Sequence, residues 1–295
     1  MKPYQLSASI VVYKNNPEEV VAAVRSVLSA ALRVNCTVVD NSPTQALRPY
    51  VVDIGAEYVH LGQNVGFGSG HNVALRKDLE RSEYHLVLNP DVSFAPQIPL
   101  VLYQFMNDRP DVGLVMPRIL YPDGTHQRLC KKLPTPFDLM SRRFLGGIGR
   151  SLFSKQLRSY EMLDVDLGVA REVPCLSGCF MFIRCATLHE IGYFDERYFM
   201  YMEDVDLCRR IGEQYKTAFF PHVSITHGYA KGSYRNFRLL RYHLQSAIKY
   251  FMKWGWFRDS KRVSLNSRID PLVKDQTANQ PISAEKHNLT QTYHY

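Results

Sequence analysis

Short apolar, β-branched runs alternate along this chain with segments of helical periodicity, and this alternation most constrains how it can fold. Residues 7–13 have the pattern of a buried strand, and Asn16-Pro17-Glu18-Glu19 then provides an N-cap, a proline at the first helical position and acids in the first turn. Further strand-like runs follow at 37–40, 56–60, 86–88, 112–116 and 179–183. The pattern predicts an α/β fold in which helices flank a mainly parallel sheet that binds ligands at the carboxyl ends of its strands.

The organisation along the chain is predicted to have three parts. An α/β domain is predicted over 1–235. It contains a helix over about 97–107, a partly helical, mobile insertion over about 117–171 and helices over about 186–191 and 203–214. A basic amphipathic helical segment follows at 236–262, because apolar residues recur there at steps of three or four. The polar composition of 263–295 predicts a disordered tail.

The net charge of +8 is confined to one segment. Residues 231–262 hold nine basic side chains and one acid, Asp259, which accounts for the whole excess. A local anionic partner is therefore favoured over a diffuse nucleic-acid surface. The amphipathic helix within this segment either docks on the core with its charges in water or lies on an anionic membrane surface. The apolar runs are too short to cross a bilayer and the first residues lack a secretory signal, so we expect a cytoplasmic location, with peripheral attachment to the membrane as an alternative.

Acidic residues stand where the predicted strands end. Asp40 and Asp91 follow such runs directly, and each is either a ligand-binding carboxylate or an Asx-turn residue. Glu203 and Asp204 begin a predicted helix, where acids commonly complement the helix dipole but where a carboxylate is also placed to act as a general base. Asp206 is expected to be structural, paired with an arginine three or four residues later.

Two further features suggest ligand chemistry, each with a structural alternative. The glycine-rich stretch 62–70 matches neither the dinucleotide-binding nor the P-loop spacing, so both of those readings lose their main support. His227 could complete a divalent-metal site with Asp91, although a structural histidine is the more frequent case. The six cysteines have no paired zinc-binding spacing and are expected to be buried apolar residues.

Taken in order from about residue 7 to 235, the motifs resemble glycosyltransferase family 2, and within it the bacterial rhamnosyltransferases. They are Ile10-Val11-Val12-Tyr13, Val39-Asp40-Asn41-Ser42, Asn64-Val65-Gly66-Phe67-Gly68, Leu88-Asn89-Pro90-Asp91 and the run from Gly192 to Leu207. The resemblance implies a GT-A fold, inverting single displacement and a divalent metal, Mg²⁺ or Mn²⁺. Asn89 departs from the D-x-D pattern of the wider family, which leaves the metal site poorer in charge.

The resemblance also implies roles for individual residues. Asp40 would contact the nucleoside, Asp91 would lie at the metal and diphosphate with His227, and Asp204 would be the catalytic base, with Glu203 as the alternative base. The remaining expected contacts of the nucleotide sugar are Tyr13, Asn64, Gly66, Phe67, Asn89 and Arg118.

The function implied by the resemblance is transfer of rhamnose from dTDP-rhamnose to a bacterial cell-surface glycan or a polyprenyl-diphosphate-linked precursor. Two alternatives stay open at this point. One is a family 2 transferase that uses a UDP-hexose, and the other is a membrane-associated scaffold without activity. No nucleic acid is expected as a partner.

Overall fold

The computed structural model describes residues 2–144, 154–228 and 237–272. Within these residues the strands are β1 (Tyr4–Val12), β2 (Val34–Asp40), β3 (Glu57–His60), β4 (Ser82–Leu88), β5 (Val92–Ser93), β6 (Val112–Leu120), β7 (Arg171–Glu172), β8 (Phe180–Arg184) and β9 (Lys216–His227). The helices are α1 (Pro17–Leu28), α2 (Arg48–Val52), α3 (Phe67–Asp78), α4 (Ile98–Asp108), α5 (Pro136–Phe144), α6 (Ser154–Tyr160), α7 (Cys185–Ile191), α8 (Glu203–Gly212), α9 (Phe237–Trp254) and α10 (Ser260–Ser267).

The strands form one sheet in the order β3-β2-β1-β4-β8-β6-β9-β5, with β7 paired to β9. β1 pairs in parallel with β2 and β4, β2 with β3, and β6 with β9, whereas β8 runs antiparallel between β4 and β6. The predicted α/β fold with a mainly parallel sheet is confirmed. The reversed direction of β8 was not predicted, because strand direction depends on pairing between residues far apart in sequence.

Central parallel strands are buried on both faces and therefore carry nearly continuous apolar runs. β1 follows this rule with Leu6 and Ile10 fully buried, but Ser7 and Ser9 are buried as well. Ser7 Oγ lies 2.7 Å and Ser9 Oγ 2.8 Å from the two ring nitrogens of His85. Burial lowers the pKa of His85 to about 3, so this ring is neutral and satisfies both hydroxyls.

One edge of the sheet gathers the carboxyl ends of β2, β4, β6 and β9, because these strands are parallel to one another through the chain of pairings. The antiparallel β8 begins at the same edge, since Phe180 is paired with Leu88. Polar residues that follow these strands are thus brought together from distant parts of the sequence.

The segment over 117–171, predicted as a partly helical insertion, is partly sheet. β6 continues to Leu120, beyond its predicted end, and its register with β9 shifts between Pro117 and Arg118. Thr135 and Asp138 then begin α5 with reciprocal side-chain and backbone hydrogen bonds, the arrangement of a capping box. Residues 145–153, which also belong to this prediction, lie outside the described residues.

The C-terminal helices pack on the α/β domain. α10 spans the boundary predicted at 262/263, and its Leu265 is buried. The described part of the predicted tail, 263–272, is therefore packed rather than extended, and Leu272 N donates to Ala170 O at 2.9 Å. The boundary predicted at 235/236 and the tail beyond 272 fall outside the described residues. Of the helices that the structure describes, none has both the length and the apolar composition needed to span a bilayer.

Candidate active site

The loop after β4 carries Asn89 and Asp91 and is fixed by two neighbouring strands. Asn89 N donates to Cys179 O at 2.9 Å, and Gly228 N donates to Asp91 O at 2.8 Å. β5 follows at once and places Val92 opposite His227 at the end of β9. The two predicted metal ligands, more than a hundred residues apart in sequence, are therefore neighbours.

His227 is oriented by Gln127, which no sequence pattern had indicated. Gln127 Nε2 donates to the backbone carbonyl of His227 at 2.8 Å, so its Oε1 is the atom that lies 3.0 Å from His227 Nδ1. In a neutral imidazole this contact places the proton on Nδ1 and a lone pair on Nε2. Nε2 lies 3.3 Å from Asp91 Oδ1 and 3.4 Å from Asn89 Nδ2.

The facing pair fits a divalent cation. A carboxylate oxygen and an imidazole nitrogen are both ligands of Mn²⁺, and Nε2, which here accepts a hydrogen bond from Asn89 Nδ2, would exchange that contact for the cation. In the described part of the chain no group of three or more His, Cys, Asp or Glu side chains could hold a metal. The protein would thus supply two ligands, as at sites where substrate phosphates and water complete the coordination of Mg²⁺.

The carboxylate of Asp204, at the start of α8, is held by two backbone N–H groups. Gly178 N donates to Oδ2 at 3.0 Å and Val205 N donates to Oδ1 at 2.8 Å. A Cβ added at Gly178 would lie 3.3 Å both from Asp204 Cβ and from Phe67 Cε1, so these two side chains flank the glycine. A larger residue at position 178 would have to shift one of these side chains, and only its place before a predicted strand could have drawn attention to Gly178.

The two acidic clusters are connected by this same short segment. Gly178 is bound by Asp204, and the next residue, Cys179, accepts the hydrogen bond from Asn89 N. Burial, with smaller contributions from the charges of Asp91 and Asp204, raises the pKa of the Cys179 thiol to about 12. Both carboxylates are thus close enough to act on one side chain.

Glu203 differs sharply from its neighbour. Its side chain is 5% exposed, and burial together with the charge of Asp204 raises its pKa to about 8, which backbone hydrogen bonds from Glu203 and Tyr201 partly oppose. Its Oε2 has no hydrogen-bond partner among the described residues. Tyr201 and Met202 both have positive φ, 69° and 68°, so the Glu203 carboxyl contacts the backbone of a turn in an unfavourable conformation.

The glycine-rich stretch contacts the segment before α8. Gly66 has a φ of 93°, and a Cβ there would lie 2.2 Å from Phe199 O. Phe67 N donates to the same oxygen at 3.0 Å, while Asn64 Oδ1 accepts from Gly66 N at 3.0 Å. Asn41, next to Asp40, donates from Nδ2 to Gly66 O at 3.1 Å. The predicted residues Asn64, Gly66 and Phe67 are therefore assembled on one loop beside the end of β2.

Asp40 is completely buried and both of its oxygens have partners within the protein. Oδ1 accepts from Ser42 N at 2.7 Å, which is an Asx turn, and Oδ2 accepts from the hydroxyl of Tyr58 at 2.5 Å. Burial and this hydrogen bond raise the pKa of Tyr58. The structural alternative for Asp40 is thus present, and contact with a nucleoside stays a prediction. Tyr13, by contrast, is 43% exposed at the end of β1.

Arg118 belongs to β6 and is paired with Ser224 of β9. It lines a cavity of about 600 Å³ together with His126, Arg128 and Asp164, and none of Asp40, Asp91 and Asp204 lines this cavity. Its contact with the nucleotide sugar stays a prediction.

The remaining structural expectations are met. Asp206 is fully buried and paired with Arg210 at 2.9 Å, as its helical spacing predicted. The cysteines are all buried and free of disulfides, and none belongs to a metal cluster among the residues that are described.

Comparison with known proteins shows the family of the chain. The sequence profile described as Glycosyl transferase family 2 matches residues 8–192. The N-acetylglucosaminyl-diphospho-decaprenol L-rhamnosyltransferase of Mycobacterium tuberculosis is 26% identical over 244 residues, which cover 78% of this chain and 77% of that protein. The low-salt glycan biosynthesis hexosyltransferase Agl10 of Haloferax volcanii is 30% identical over 207 residues, covering 70% of this chain and 61% of that protein.

The fold is also that of a solved glycosyltransferase. The crystal structure of GalNAc-T7 with UDP, GalNAc and Mn²⁺ superposes with a TM-score of 0.59 at 14% identity, covering 85% of this chain and 48% of that one. The chain thus spans about half the length of that protein, and at this identity the likeness concerns the GT-A fold alone. Because the family profile matches more than half of its length, the chain belongs to glycosyltransferase family 2.

Proposed function

We propose that this glycosyltransferase is an inverting rhamnosyltransferase that takes rhamnose from dTDP-rhamnose and transfers it to a hydroxyl of a bacterial glycan or lipid-linked precursor. The observation that carries the catalytic part is the pair of contacts made by residues 178–179. They connect Asp204 with the Asn89-to-Asp91 loop. The proposed base and the proposed metal-binding carboxylate therefore share one edge of the sheet.

Asp204 is the general base in this proposal. Its carboxylate takes the proton of the acceptor hydroxyl as that oxygen bonds to the anomeric carbon. The bond from the anomeric carbon to the diphosphate oxygen breaks at the same time, and its electron pair leaves with the nucleoside diphosphate. A single displacement of this kind inverts the anomeric configuration. The hydrogen bonds from Gly178 N and Val205 N hold the carboxylate in one orientation, which favours attack from one side.

Asp91 and His227 are the residues that would hold a divalent cation, Mg²⁺ or Mn²⁺, in this proposal. Such a cation would supply positive charge to neutralise the departing diphosphate. Gln127 keeps the proton of His227 on Nδ1, so that Nε2 faces Asp91 as a ligand. Asn89, 3.4 Å from the same nitrogen, replaces a second carboxylate and leaves this side less negative.

Glu203 is a positioning residue in this proposal rather than a second base. With a pKa raised to about 8 it is protonated at neutral pH, and a protonated carboxyl is a poor base. Its contacts with the backbone of Tyr201 and of Glu203 itself support the turn that presents Asp204.

The donor and the acceptor are argued from similarity. The relative from M. tuberculosis is named for an L-rhamnosyl donor group and a decaprenyl-diphosphate-linked acceptor, and it matches most of both chains. The relative from H. volcanii is named as a hexosyltransferase, a term that specifies neither the sugar nor the nucleotide, so a UDP-hexose stays open as the alternative donor.

The decisive experiment is a donor panel. dTDP-rhamnose, UDP-glucose, UDP-galactose and UDP-N-acetylglucosamine are tested for stabilisation against heat and for hydrolysis with Mg²⁺ or Mn²⁺, using Asp91→Asn as the control. We expect dTDP-rhamnose alone to raise the unfolding temperature and to be consumed in an Asp91-dependent manner. Preference for a UDP-hexose would replace the donor assignment, and the absence of any Asp91-dependent turnover would identify a scaffold.

A further inference from the structure

The helix α9 has an apolar outer face. Phe237, Leu244, Ile248 and Met252 follow one another at steps of seven and four residues and therefore lie on the same side of the helix. Their exposed fractions are 89%, 41%, 48% and 73%. Single exposed apolar residues are common on proteins, but four on one side of a helix, with Arg241 between the first two, are typical of a surface that contacts something apolar.

The apolar surface extends beyond α9. Leu139 and Met140 of α5 form a cavity of about 140 Å³ with Leu244, Ile248 and Trp256. Phe257, 85% exposed, and Val263, 66% exposed, follow Trp256 along the chain. We define the outer face as the row Phe237, Leu244, Ile248 and Met252 together with Met140 and Trp256.

The charge around the outer face has one sign. α9 contains no acidic residue. Arg241, which shares the side of Phe237 and Leu244, and Arg258, two residues after Trp256, are exposed, and neither makes an ion pair within the described residues. In contrast, Lys253 forms ion pairs with Asp195 and Asp206. Only some of the basic residues in this segment therefore contribute to the packing of α9 on the domain. Apolar side chains bordered by unpaired cations complement the surface of an anionic bilayer.

The inner face of α9 is attached to the polypeptide that leads to Asp204. Ser246 Oγ donates to Met200 O at 2.8 Å, and Lys249 Nζ donates to Arg197 O at 2.6 Å. The ring centroids of Phe199 and Tyr242 lie 4.5 Å apart. One helix therefore presents apolar side chains outwards and holds the segment before the proposed base inwards.

We propose that the outer face is the surface by which the protein rests on an anionic lipid bilayer, with α9 lying in the plane of the headgroups. This inference deepens the proposed function and rests on it for the acceptor, since an acceptor sugar carried on a lipid diphosphate would lie at the level of Asp204. The cations bind the headgroup phosphates, and the apolar row enters the boundary of the acyl chains.

The test is flotation of the full chain with vesicles of phosphatidylcholine alone or mixed in equal parts with phosphatidylglycerol. We expect binding to the anionic vesicles only. The variant Leu244→Gln/Ile248→Gln/Met252→Gln should lose this binding. The variant Arg241→Gln/Arg258→Gln should weaken it on the order of 25-fold, at roughly 5-fold for each charge removed. The matched control, Arg25→Gln/Lys155→Gln, removes two exposed cations elsewhere and should bind as the wild type does.

Two readouts keep this inference separate from the proposed function. Sedimentation without lipid measures the oligomeric state, and an apolar-row variant that dissociates a wild-type dimer would overturn the membrane assignment in favour of a self-interface. Hydrolysis of dTDP-rhamnose without vesicles measures the catalytic site alone. A wild type that hydrolyses the donor but does not float overturns the membrane surface only, and one that floats without Asp204-dependent hydrolysis overturns the proposed function only.

Discussion

The backbone nitrogen of Gly178 lies 3.0 Å from Oδ2 of Asp204, and this contact fixes the proposed base against the strand next to Asp91. A Cβ at this position would lie 3.3 Å both from Asp204 Cβ and from Phe67 Cε1, so a larger residue would have to shift one of these side chains. Asp204 is therefore held by backbone groups, which a change of its own chemistry should leave in place.

The first prediction concerns the base. Asp204→Asn keeps one oxygen that can accept the hydrogen bond from Gly178 N, places its NH₂ beside Val205 N in place of Oδ1, and cannot take a proton from the acceptor. We expect the turnover number to fall by roughly 10²-fold or more, the usual contribution of a general base, while the donor binds with unchanged affinity. Single-turnover kinetics and donor titration measure the two quantities separately. Near-normal turnover would move the role to Glu203.

The second prediction uses the raised pKa of Glu203. The folded protein keeps this proton up to about pH 8, whereas the unfolded chain loses it near its ordinary value of 4.5. The contribution of Glu203 to the free energy of unfolding is thus fully present below about pH 4.5 and declines as the pH rises towards 8. Glu203→Gln, which is neutral at every pH, should remove this decline and retain activity at pH 7.

Denaturant unfolding of wild type and Glu203→Gln between pH 5 and pH 9 is the measurement. Glu203→Ala serves as the control, because it also loses the contacts with the backbone of Tyr201 and should lose turnover at every pH. A Gln variant as inactive as the Ala variant would contradict the positioning role and identify an ionised Glu203 as essential.

Much of the site follows from local sequence and the rest from long-range pairing. Asp91 and Asp204 could be found because each follows or begins a regular element, where strand and helix ends carry functional groups. Gln127 could not, because its partner His227 is a hundred residues away and no local pattern marks it. The sequence left open whether Asp40 forms an Asx turn or binds a ligand. The hydrogen bond from Ser42 N and the complete burial of the side chain show that the turn is formed.

The C-terminal part illustrates the same limit. The spacing of apolar residues predicted α9 and left open whether it docks on the core or faces a membrane, and the structure gives it a buried side at Tyr250 and Phe251 as well as the outer face. Composition predicted a tail from residue 263, yet Leu265 is buried. A polar helix with few buried apolar residues cannot be distinguished from a disordered tail by composition alone.

The third prediction concerns the orientation of His227. Gln127→Leu has a similar size but cannot accept the proton of Nδ1, so the imidazole loses the contact that keeps its lone pair facing Asp91. We expect the affinity for Mn²⁺, measured by its effect on donor binding, to fall by about 10-fold to 100-fold, the range found when a residue supporting a metal ligand is removed. Gln127→Glu, which retains an acceptor oxygen, should lose less. Equal Mn²⁺ affinity in wild type and Gln127→Leu would exclude His227 as a ligand.

The last prediction concerns the attachment of α10. Arg209 is 2% exposed and binds Asp259 with two hydrogen bonds of 2.6 and 2.7 Å, while its guanidinium carbon lies 4.2 Å from the centre of the Trp254 ring. Arg209→Leu leaves the Asp259 carboxylate buried without its strongest partner, and removing one member of a buried ion pair typically costs about 3–5 kcal/mol.

Denaturant unfolding checks this value, and Asp259→Asn together with the double variant completes a mutant cycle. Because an isolated buried charge causes most of the loss, Arg209→Leu/Asp259→Asn should be more stable than Arg209→Leu alone. Additive losses would mean that the two side chains contribute independently to stability. The ion pair would then not be the contact that attaches α10 and the end of α9 to the catalytic domain.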